Sequence, residues 1–324
     1  MAEPMISTRD LTKSYEKVHA LRGVSLDVAE GTVLGLLGHN GAGKTTLVNI
    51  LATLLPPSGG SAVVAGHDVV RDSRAVRGCI GLTGQFASVD EKLSGFDNLV
   101  LIARLLGASA RQARARADAL LDVFDLSSAG RRLCRTYSGG MRRRLDLAAG
   151  LVGRPRVIFL DEPSTGLDPA SRLSLWETVE ALVADGTTVL LTTQYLEEAE
   201  RLADTVAVLS EGSVVAAGTP SELKSRVGER RAHLSTTRRG DAVKVAGALR
   251  RAGFAAVQTP REGAVSVPVA DFDDFAQVVR AVEVAEVPVT GLTLSEPSLD
   301  DVYLSLAAGP VATAARRLTE EQPS

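Results

Sequence analysis

The sequence predicts an α/β fold, in which a mostly parallel sheet is covered by helices on both faces, followed by a smaller α+β domain. Short apolar runs indicate buried strands at 32–37, 156–163 and 187–193. Helical stretches separate these runs, and strands that alternate with helices are typical of a parallel sheet. After about residue 228 the order of the predicted elements changes, which indicates a second domain.

The first domain is expected to span residues 1–227. An alternating run at 24–28 is typical of a half-buried strand. A helix is expected at about 44–54, because the prolines at 56–57 cannot continue it. Alanine, leucine and arginine are frequent from about 90 to 150, which predicts a helical subdomain there.

The second domain is expected to span residues 228–307. Its predicted elements follow the order β-α-β-β-α-β, which is the ferredoxin-like arrangement. They are strands at 231–236, 256–259, 264–269 and 289–294, and helices at 241–252 and 273–285. Residues 308–324 are expected to form a flexible tail.

Composition argues against several classes of function. The chain has 324 residues, 45% of them hydrophobic, and a formal net charge of −3. Neither domain carries the basic excess that is typical of a nucleic-acid binder. The two cysteines, Cys79 and Cys134, form no CxxC-type motif, and the four histidines have no metal-ligand spacing. We therefore expect reduced thiols, no metal site built from these residues and no nucleic-acid partner.

Neither a secretory signal nor a membrane-spanning segment is expected from the sequence. Its first residues, MAEPMISTRDLTKSY, contain no apolar region of the kind found in secretory signals. No run reaches 18 uninterrupted apolar residues, which a membrane-spanning helix requires. The expectation is a soluble intracellular protein.

A phosphate-binding loop is predicted where GHNGAGKTT places Gly38, four residues, and then Gly43-Lys44-Thr45. This G-x-x-x-x-G-K-[ST] pattern follows an apolar strand and opens a helix. Glycines allow backbone N–H groups to surround phosphate oxygens, and the helix N-terminus adds its positive end. Lys44 is expected to reach the β- and γ-phosphates, and Thr45 to bind Mg²⁺. The alternative is a glycine-rich turn with an incidental lysine. The nucleotide-binding residues expected in this loop are Asn40, Gly41, Gly43, Lys44, Thr45 and Thr46.

A pair of carboxylates follows the apolar strand Val157–Leu160. Ligands of open α/β sheets bind at the carboxyl ends of the strands, which is where Asp161 and Glu162 are expected to lie. Asp161 fits a Mg²⁺ ligand, and Glu162 fits the general base for the attacking water. The alternative is a solvated acidic pair. Two adjacent carboxylates repel unless a cation is present, so the sequence predicts a nucleoside triphosphatase that uses ATP and Mg²⁺.

The segment YSGGM at 137–141 resembles the LSGGQ-like signature loop of the ATP-binding-cassette (ABC) ATPases. The resemblance covers about residues 5–225. It implies that Ser138 and the Gly140 amide, with Gly139 between them, bind the γ-phosphate held by the opposite subunit of a dimer.

The resemblance assigns three further positions in the expected order. Tyr15 matches the aromatic residue that stacks on adenine, Gln85 the glutamine that senses Mg²⁺ and touches the membrane partner, and Asp168 the end of the loop that crosses the dimer interface. Singly, a strand tyrosine, a loop glutamine and an SGG turn are weak signals. Their order around a phosphate loop makes chance a poor explanation.

A basic run, MRRR at 141–144, opens the helix after the signature loop. One interpretation is contact with nucleic acid. The favoured interpretation is a solvated helix face, because Asp146 and the acidic balance of the domain offset the charge.

Gln194 stands at the end of the strand at 187–193, where ABC ATPases normally have a histidine that contacts the γ-phosphate and the general base. A glutamine NH₂ group still donates a hydrogen bond, but it cannot gain the positive charge of an imidazolium. In one interpretation Gln194 acts as a neutral donor and hydrolysis is slow but real. In the other the site binds ATP and barely hydrolyses it. The intact Lys44 and Glu162 favour the first.

Together, GMRRRLDLA, TTQYLEEAE and EPSLDDVYLSL resemble the daunorubicin-resistance-type exporter ATPases of actinobacteria. The resemblance implies a peripheral subunit on the cytoplasmic face of the membrane. Such a subunit works as a homodimer and powers export of an amphipathic drug, antibiotic or lipid through a separate integral-membrane permease.

Three other functions remain open from the sequence. An importer ATPase is the nearest, although its C-terminal extension would more often be a β-barrel regulatory domain than the β-α-β-β-α-β order predicted here. A non-transport ABC ATPase of translation or DNA repair usually fuses two cassettes or inserts a long coiled coil, and neither pattern is found here. A nucleotide switch that dimerises with ATP and barely hydrolyses it is the third alternative, with Gln194 as its indication.

Overall fold

The protein forms two compact units, Met1–Pro220 and Ser221–Ser324. The computed structural model describes residues 3–84, 89–226, 230–258, 264–284, 287–295 and 297–307. Each unit is treated below by itself.

Strands and helices alternate along most of the first unit. Its strands, as far as the unit is described, are β1 (Ile6–Tyr15), β2 (Val18–Val28), β3 (Val33–Leu37), β4 (Gly59–Val64), β5 (His67–Asp68), β6 (Ile80–Thr83), β7 (Val157–Asp161), β8 (Thr188–Thr193), β9 (Thr205–Ser210) and β10 (Ser213–Gly218). Its helices are α1 (Lys44–Leu51), α2 (Ser73–Cys79), α3 (Gly95–Leu105), α4 (Ala110–Val123), α5 (Gly139–Gly150), α6 (Pro169–Ala184) and α7 (Leu196–Leu202), and α8 (Pro220–Ser225) begins at its last residue.

Two sheets organise the first unit. The larger has the order β10-β9-β3-β8-β7-β6 and is parallel except for the β9–β10 pair. The smaller is antiparallel, with the order β2-β1-β4-β5. The predicted parallel sheet is present, whereas the sequence prediction did not separate the antiparallel sheet from it.

The three strands predicted to be buried lie inside the parallel sheet. Every residue of β3, β7 and β8 is buried, which is why these runs are apolar throughout instead of alternating. The strands are in parallel register, with Leu36 opposite Thr192 and Thr192 opposite Asp161. The segments that leave β3, β7 and β8 therefore emerge side by side at one edge of the sheet.

Helix α1 ends earlier than predicted, at Leu51 instead of near residue 54. Thr53 has a φ of 62°, in the left-handed region that a right-handed helix cannot include. The helix therefore stops before the prolines that the sequence prediction used as its end signal.

The described part of the second unit begins with the rest of α8 and contains an antiparallel sheet and three further helices. Its described elements after α8 are β11 (Arg231–Thr236), α9 (Arg239–Arg251), β12 (Val257–Gln258), β13 (Ala264–Pro268), α10 (Phe272–Val284), β14 (Val289–Ser295) and α11 (Leu299–Ala307). The strand order is β12-β13-β11-β14. Buried Leu234, Val245 and Val267 belong to its apolar core, and Val278 of α10 packs in the same cluster. The predicted tail at 308–324 lies outside the described residues.

The described helices include no candidate for a membrane-spanning segment. None of them combines the length and apolar character needed to cross a bilayer.

Replacing Phe159 by alanine tests the core of the parallel sheet. Phe159 is fully buried on β7, so we expect Phe159→Ala to lower the free energy of unfolding by about 3–5 kcal/mol. Urea unfolding can be followed by fluorescence of Trp176, the one tryptophan of the sequence, which is buried in the same unit. Leu105 is 77% exposed, and Leu105→Ala is the control, with an expected change below about 0.5 kcal/mol. Equal changes in the two variants would contradict this account of the core.

Candidate nucleotide site

The loop between β3 and α1 is built on glycines that no other residue can replace easily. Gly41 and Gly43 have φ values of 87° and 109°, in the region that favours glycine. A Cβ at Gly43 would lie 2.6 Å from the carbonyl oxygen of Ala20. The backbone thus reaches the start of α1 through a tight turn. The N-terminus of α1 faces the loop and offers N–H groups suited to an anion.

The ammonium group of Lys44 lies inside this loop and is nearly buried. The residue is 4% exposed, and its Nζ donates hydrogen bonds to the carbonyl oxygens of Gly38 at 2.7 Å and His39 at 3.3 Å. It also lies 3.6 Å from Oε1 of Glu162, whose side chain is 9% exposed. The predicted phosphate-binding lysine and the predicted general base are therefore an ion pair.

Asp161 is buried and lies between two threonine hydroxyls. Thr45 Oγ1 donates to Oδ2 of Asp161 at 3.0 Å, and the Thr192 hydroxyl donates to Oδ1. A hydroxyl and a carboxylate from two different elements are thus brought together. Oxygen ligands of this kind suit Mg²⁺, which proteins usually bind through one or two carboxylates plus substrate phosphates. The donor set of Thr45 and Asp161 fits the ion.

Glu162 follows Asp161 in an unusual backbone conformation. Its φ is 50°, in the left-handed region that is rare for a residue with a side chain. Its N–H donates to both the carbonyl and the hydroxyl oxygen of Thr192, each at 3.0 Å. Thr165 donates to Oε2 of Glu162 at 3.5 Å. The conformation turns the chain out of β7 and directs the Glu162 carboxylate toward Lys44.

Gln194 is exposed at the end of β8. Within the described ranges its side chain makes no hydrogen bond, unlike its neighbours. The backbone N–H of Tyr195 donates to the Thr193 hydroxyl at 2.9 Å, and the Arg172 guanidinium lies 5.0 Å from the Tyr195 ring centroid. The backbone on both sides of Gln194 is therefore held, while its amide is accessible.

The predicted signature loop lies at the N-terminus of α5. The Ser138 hydroxyl accepts a hydrogen bond from the Met141 N–H at 3.3 Å and caps the helix, and Ser138 and Gly139 are exposed. A Cβ at Gly140 would come within 2.7 Å of the Ser171 hydroxyl. Asp168 accepts hydrogen bonds from that same Ser171, which lower the pKa of the Asp168 carboxyl. The signature loop and the predicted interface loop are therefore neighbours in one chain.

The remaining predicted positions include Tyr15 on β1 and two residues near Lys44 along the chain. Tyr15 is 43% exposed, with the Lys13 ammonium 5.2 Å from its ring centroid. Asn40 is exposed and Thr46 is half-buried in the loop and first turn of α1. Gln85 lies outside the described residues.

The interpretation of MRRR as a solvated helix face is wrong. Arg142, Arg143 and Arg144 are all partly buried and bound within the protein. Arg142 pairs with Glu91 at 2.9 Å, and Arg144 donates to the carbonyl oxygen of Phe124 at 3.1 Å. Counting charges along a helix cannot detect such contacts, because their partners are distant in sequence or are backbone carbonyls.

Arg143 makes the most extensive of these contacts. Its guanidinium donates to the carbonyl oxygens of Gly84, Glu162 and Pro163 at 2.9, 3.1 and 2.6 Å, and to that of Asp161 at 3.4 Å. Burial lowers the pKa of Arg143, and the carboxylates of Asp146, Glu198 and Asp161 oppose this effect. The group stays charged, since an arginine is not deprotonated in proteins.

Glu198 is a fully buried carboxyl group that sequence reasoning missed. Ser164 donates to it at 3.0 Å and the indole N–H of Trp176 at 3.1 Å. Burial raises the pKa of Glu198, and hydrogen bonds from Thr193, Trp176 and Ser164 oppose the rise. Through these hydrogen bonds Glu198 connects α7 to Trp176 on α6 and to Ser164 in the segment after Glu162. Its only sequence signal is an acidic residue on the apolar face of a short helix.

Comparison with known proteins agrees with this geometry. The ABC transporter family model matches residues 21–165. The daunorubicin resistance ATP-binding protein DrrA3 of Streptomyces coeruleorubidus is 50% identical over 307 residues, which are 94% of this chain and 96% of that protein. The Nod factor export ATP-binding protein I of Paraburkholderia xenovorans is 41% identical over 223 residues, 69% of this chain and 73% of that protein. A solved structure of cbiO1 from Clostridium perfringens, part of the ABC transporter complex cbiONQ, aligns with a TM-score of 0.64 and 25% identity, covering 69% of this chain and 92% of that one.

The parallel sheet and phosphate loop define a P-loop ATPase domain of the ABC type, which binds and hydrolyses ATP. The chain belongs to the daunorubicin-resistance type of ABC transporter ATP-binding proteins.

A glutamine at position 198 tests the buried carboxyl. The pKa of Glu198 in the folded protein is raised above its ordinary value of 4.5, so the folded state binds its proton more tightly than the unfolded state. The stability that this tighter proton binding gives the folded state is fully present below pH 4.5 and is lost as the pH rises through the raised pKa of Glu198. Glutamine does not ionise. As the pH rises over that interval, we therefore expect the free energy of unfolding of Glu198→Gln to increase relative to that of the parent.

Urea unfolding followed by circular dichroism, from about pH 4.5 upward, measures this shift. Glu197→Gln, which removes an exposed acidic neighbour, is the matched control for the loss of one negative charge. A stability difference between Glu198→Gln and the parent that stays constant with pH would contradict the assignment.

Proposed function

We propose that this chain is the ATP-hydrolysing subunit of an exporter that moves an amphipathic drug, antibiotic or lipid through a separate integral-membrane permease. The observation that carries the proposal is the extent of the similarity to the daunorubicin resistance protein. It continues through the second unit instead of ending with the ATPase domain. A relative named as an export ATP-binding protein adds support for the direction of transport. The two relatives named above are resistance and export proteins, which does not favour a role in translation or DNA repair.

The nucleotide is held by the phosphate loop and the first turn of α1. Gly41, Gly43 and their neighbours present N–H groups to the phosphates, and Lys44 contributes the positive charge. The proximity of Lys44 to Glu162 supports this role, because the phosphate site then lies beside the catalytic carboxylate. Asn40 and Thr46 complete the loop, and Tyr15 offers an exposed ring on which adenine can stack.

Thr45 and Asp161 are the proposed Mg²⁺ ligands, and their contact at 3.0 Å supports that pairing. When bound, the ion neutralises phosphate charge. Glu162 accepts a proton from the attacking water, and its nearly buried carboxylate is suited to this role as a general base. Gln85 stays a proposed Mg²⁺-sensing residue on the family resemblance alone.

Gln194 is the proposed neutral donor to the γ-phosphate. Its exposed amide beside the carboxyl ends of β7 and β8 supports this role, as does the fixed backbone on either side of it. A neutral donor stabilises developing negative charge less than an imidazolium does, so turnover is slower than with histidine.

Two copies of the chain close head to tail around two ATP molecules in this proposal. One copy supplies Lys44, and the other supplies Ser138, Gly139 and Gly140, with Asp168 at the interface. The exposure of Ser138 and Gly139 at the N-terminus of α5 supports their availability to a second copy. The dimer works against the permease at the cytoplasmic face of the membrane.

The domain at 228–307 is proposed to be a ferredoxin-like module that adds dimer contacts or regulation. Its support is the order of elements from β11 to β14 and the antiparallel strand order β12-β13-β11-β14. We place the boundary of the ATPase domain at residue 227 and treat 308–324 as a tail.

Substitutions of Gln194 test the catalytic part of the proposal. We expect Gln194→Ala to lower the ATP turnover number by about 100-fold, because a single preorganised donor to the phosphate is lost. Gln194→His is expected to keep or raise turnover, since imidazole restores a donor that can become charged. Phosphate release at saturating ATP measures both. Turnover of Gln194→Ala equal to that of the parent would show that the amide has no catalytic role.

A pull-down in mild detergent tests the transporter. Tagged protein from its native cells is expected to recover a near-stoichiometric membrane protein with many spans, identified by mass spectrometry. Lys44→Ala is the control, which shows whether recovery depends on nucleotide. Recovery of ribosomal or DNA-repair proteins without a membrane partner would refute the exporter and leave the ATPase activity intact.

A further inference from the structure

Arg143 joins the signature helix to the two strands that lead into the ATPase site. It lies on α5, five residues after Ser138. Its four acceptors are the carbonyl of Gly84, immediately after β6, and the carbonyls of Asp161, Glu162 and Pro163 at and after the end of β7. β6 and β7 are neighbours in the sheet, so one guanidinium bridges the ends of both strands.

The conformation of Glu162 explains why such a bridge is needed. A left-handed φ at a residue with a side chain is unfavourable and persists only where the surroundings enforce it. Thr192 holds Glu162 from the N–H side, where two acceptor oxygens lie at 3.0 Å. Arg143 holds it from the carbonyl side at 3.1 Å. Together the two residues fix the peptide groups on both sides of the Glu162 side chain.

The contact is specific to arginine. A guanidinium presents five N–H donors in a rigid plane, and here they bind four carbonyls that point to one location. A lysine has a similar charge, but its single nitrogen cannot reach acceptors distributed along two strand ends. Bonds from a charged donor are also stronger than neutral ones, which suits a group that must resist a strained backbone.

We propose that Arg143 is a positioning residue for ATP hydrolysis, which holds the backbone of Glu162 in its left-handed conformation and so directs the Glu162 carboxylate. The proposal rests on the role of Glu162 as general base. Arg143 acts through Glu162, because its guanidinium donates to backbone carbonyls at and beside that residue. It also couples the helix that carries Ser138 to the catalytic carboxylate of the same chain.

Steady-state ATPase kinetics of the purified full-length protein test the proposal. We expect Arg143→Lys to lower kcat by about 10- to 100-fold, because a small misplacement of a catalytic group reduces the rate that much. The KM for ATP should change less than about threefold, since the phosphate loop and Lys44 are untouched. Arg144→Lys is the matched control on the same helix. Arg144 contacts Phe124 and Asp125, so the kcat of Arg144→Lys should stay within about twofold of that of the parent.

A double-mutant cycle with Glu162→Gln separates positioning from general stabilisation of the fold. If Arg143 acts through Glu162, Arg143→Lys should have little further effect once the general base is gone. If Arg143 only stabilised the fold, the kcat of the double variant would fall by the product of the two single-variant losses. Multiplied losses, an unchanged kcat in Arg143→Lys or an equal loss in Arg144→Lys would each overturn the proposal.

Two further outcomes are distinguishable. Unchanged turnover in Glu162→Gln would refute the general base itself, and with it the proposal for Arg143. If Arg143→Lys does not fold, Arg143→Gln replaces it in the cycle, because glutamine retains a neutral donor. Failure of both variants to fold, judged by circular dichroism, would assign Arg143 to folding alone and overturn the proposal.

Discussion

The buried ammonium of Lys44 is the constraint on which the ATPase site depends. An isolated buried charge is strongly unfavourable, so it must be surrounded by oxygen atoms. Those atoms come from the turn after β3, at Gly38 and His39, and from Glu162 after β7. The carboxyl ends of β3 and β7 must therefore lie close together, and β8 between them supplies the threonine that holds both carboxylate residues. The Lys44 charge therefore requires that the ends of these strands come together at one edge of the sheet.

Much of this site could be predicted because its chemistry restricts residue type locally. Only glycine tolerates the turn at Gly43, and only an apolar run fits a strand buried on both faces such as β7. The contacts of Arg143 could not be predicted, because its acceptors are backbone carbonyls, which every residue has. Glu198 was missed for a related reason. Its donors, Ser164 and Trp176, lie on other elements and become neighbours only in the folded chain.

Arg143 and Glu198 both hold the backbone segment that follows β7. Arg143 binds the carbonyls at the end of β7, and Glu198 binds the hydroxyl of Ser164 two residues after Glu162. Both are ionisable and both are largely removed from solvent, where unpaired groups would be unfavourable. The short segment from Asp161 to Ser164 is therefore held by the hydrogen bonds of Arg143 on α5 and Glu198 on α7. These hydrogen bonds stabilise the strained backbone of Glu162 next to the buried Lys44–Glu162 ion pair.

The position of β3 in its sheet determines when the chain can fold during synthesis. Both neighbours of β3, β8 and β9, are more than a hundred residues downstream. An apolar strand with no adjacent partner thus emerges from the ribosome long before residues 188–210, and pairings between distant segments form slowly. Until then β3 is open to misfolding and aggregation. Translation speed between β3 and β9, and chaperones that bind exposed apolar strands, should therefore control the yield of the folded ATPase unit.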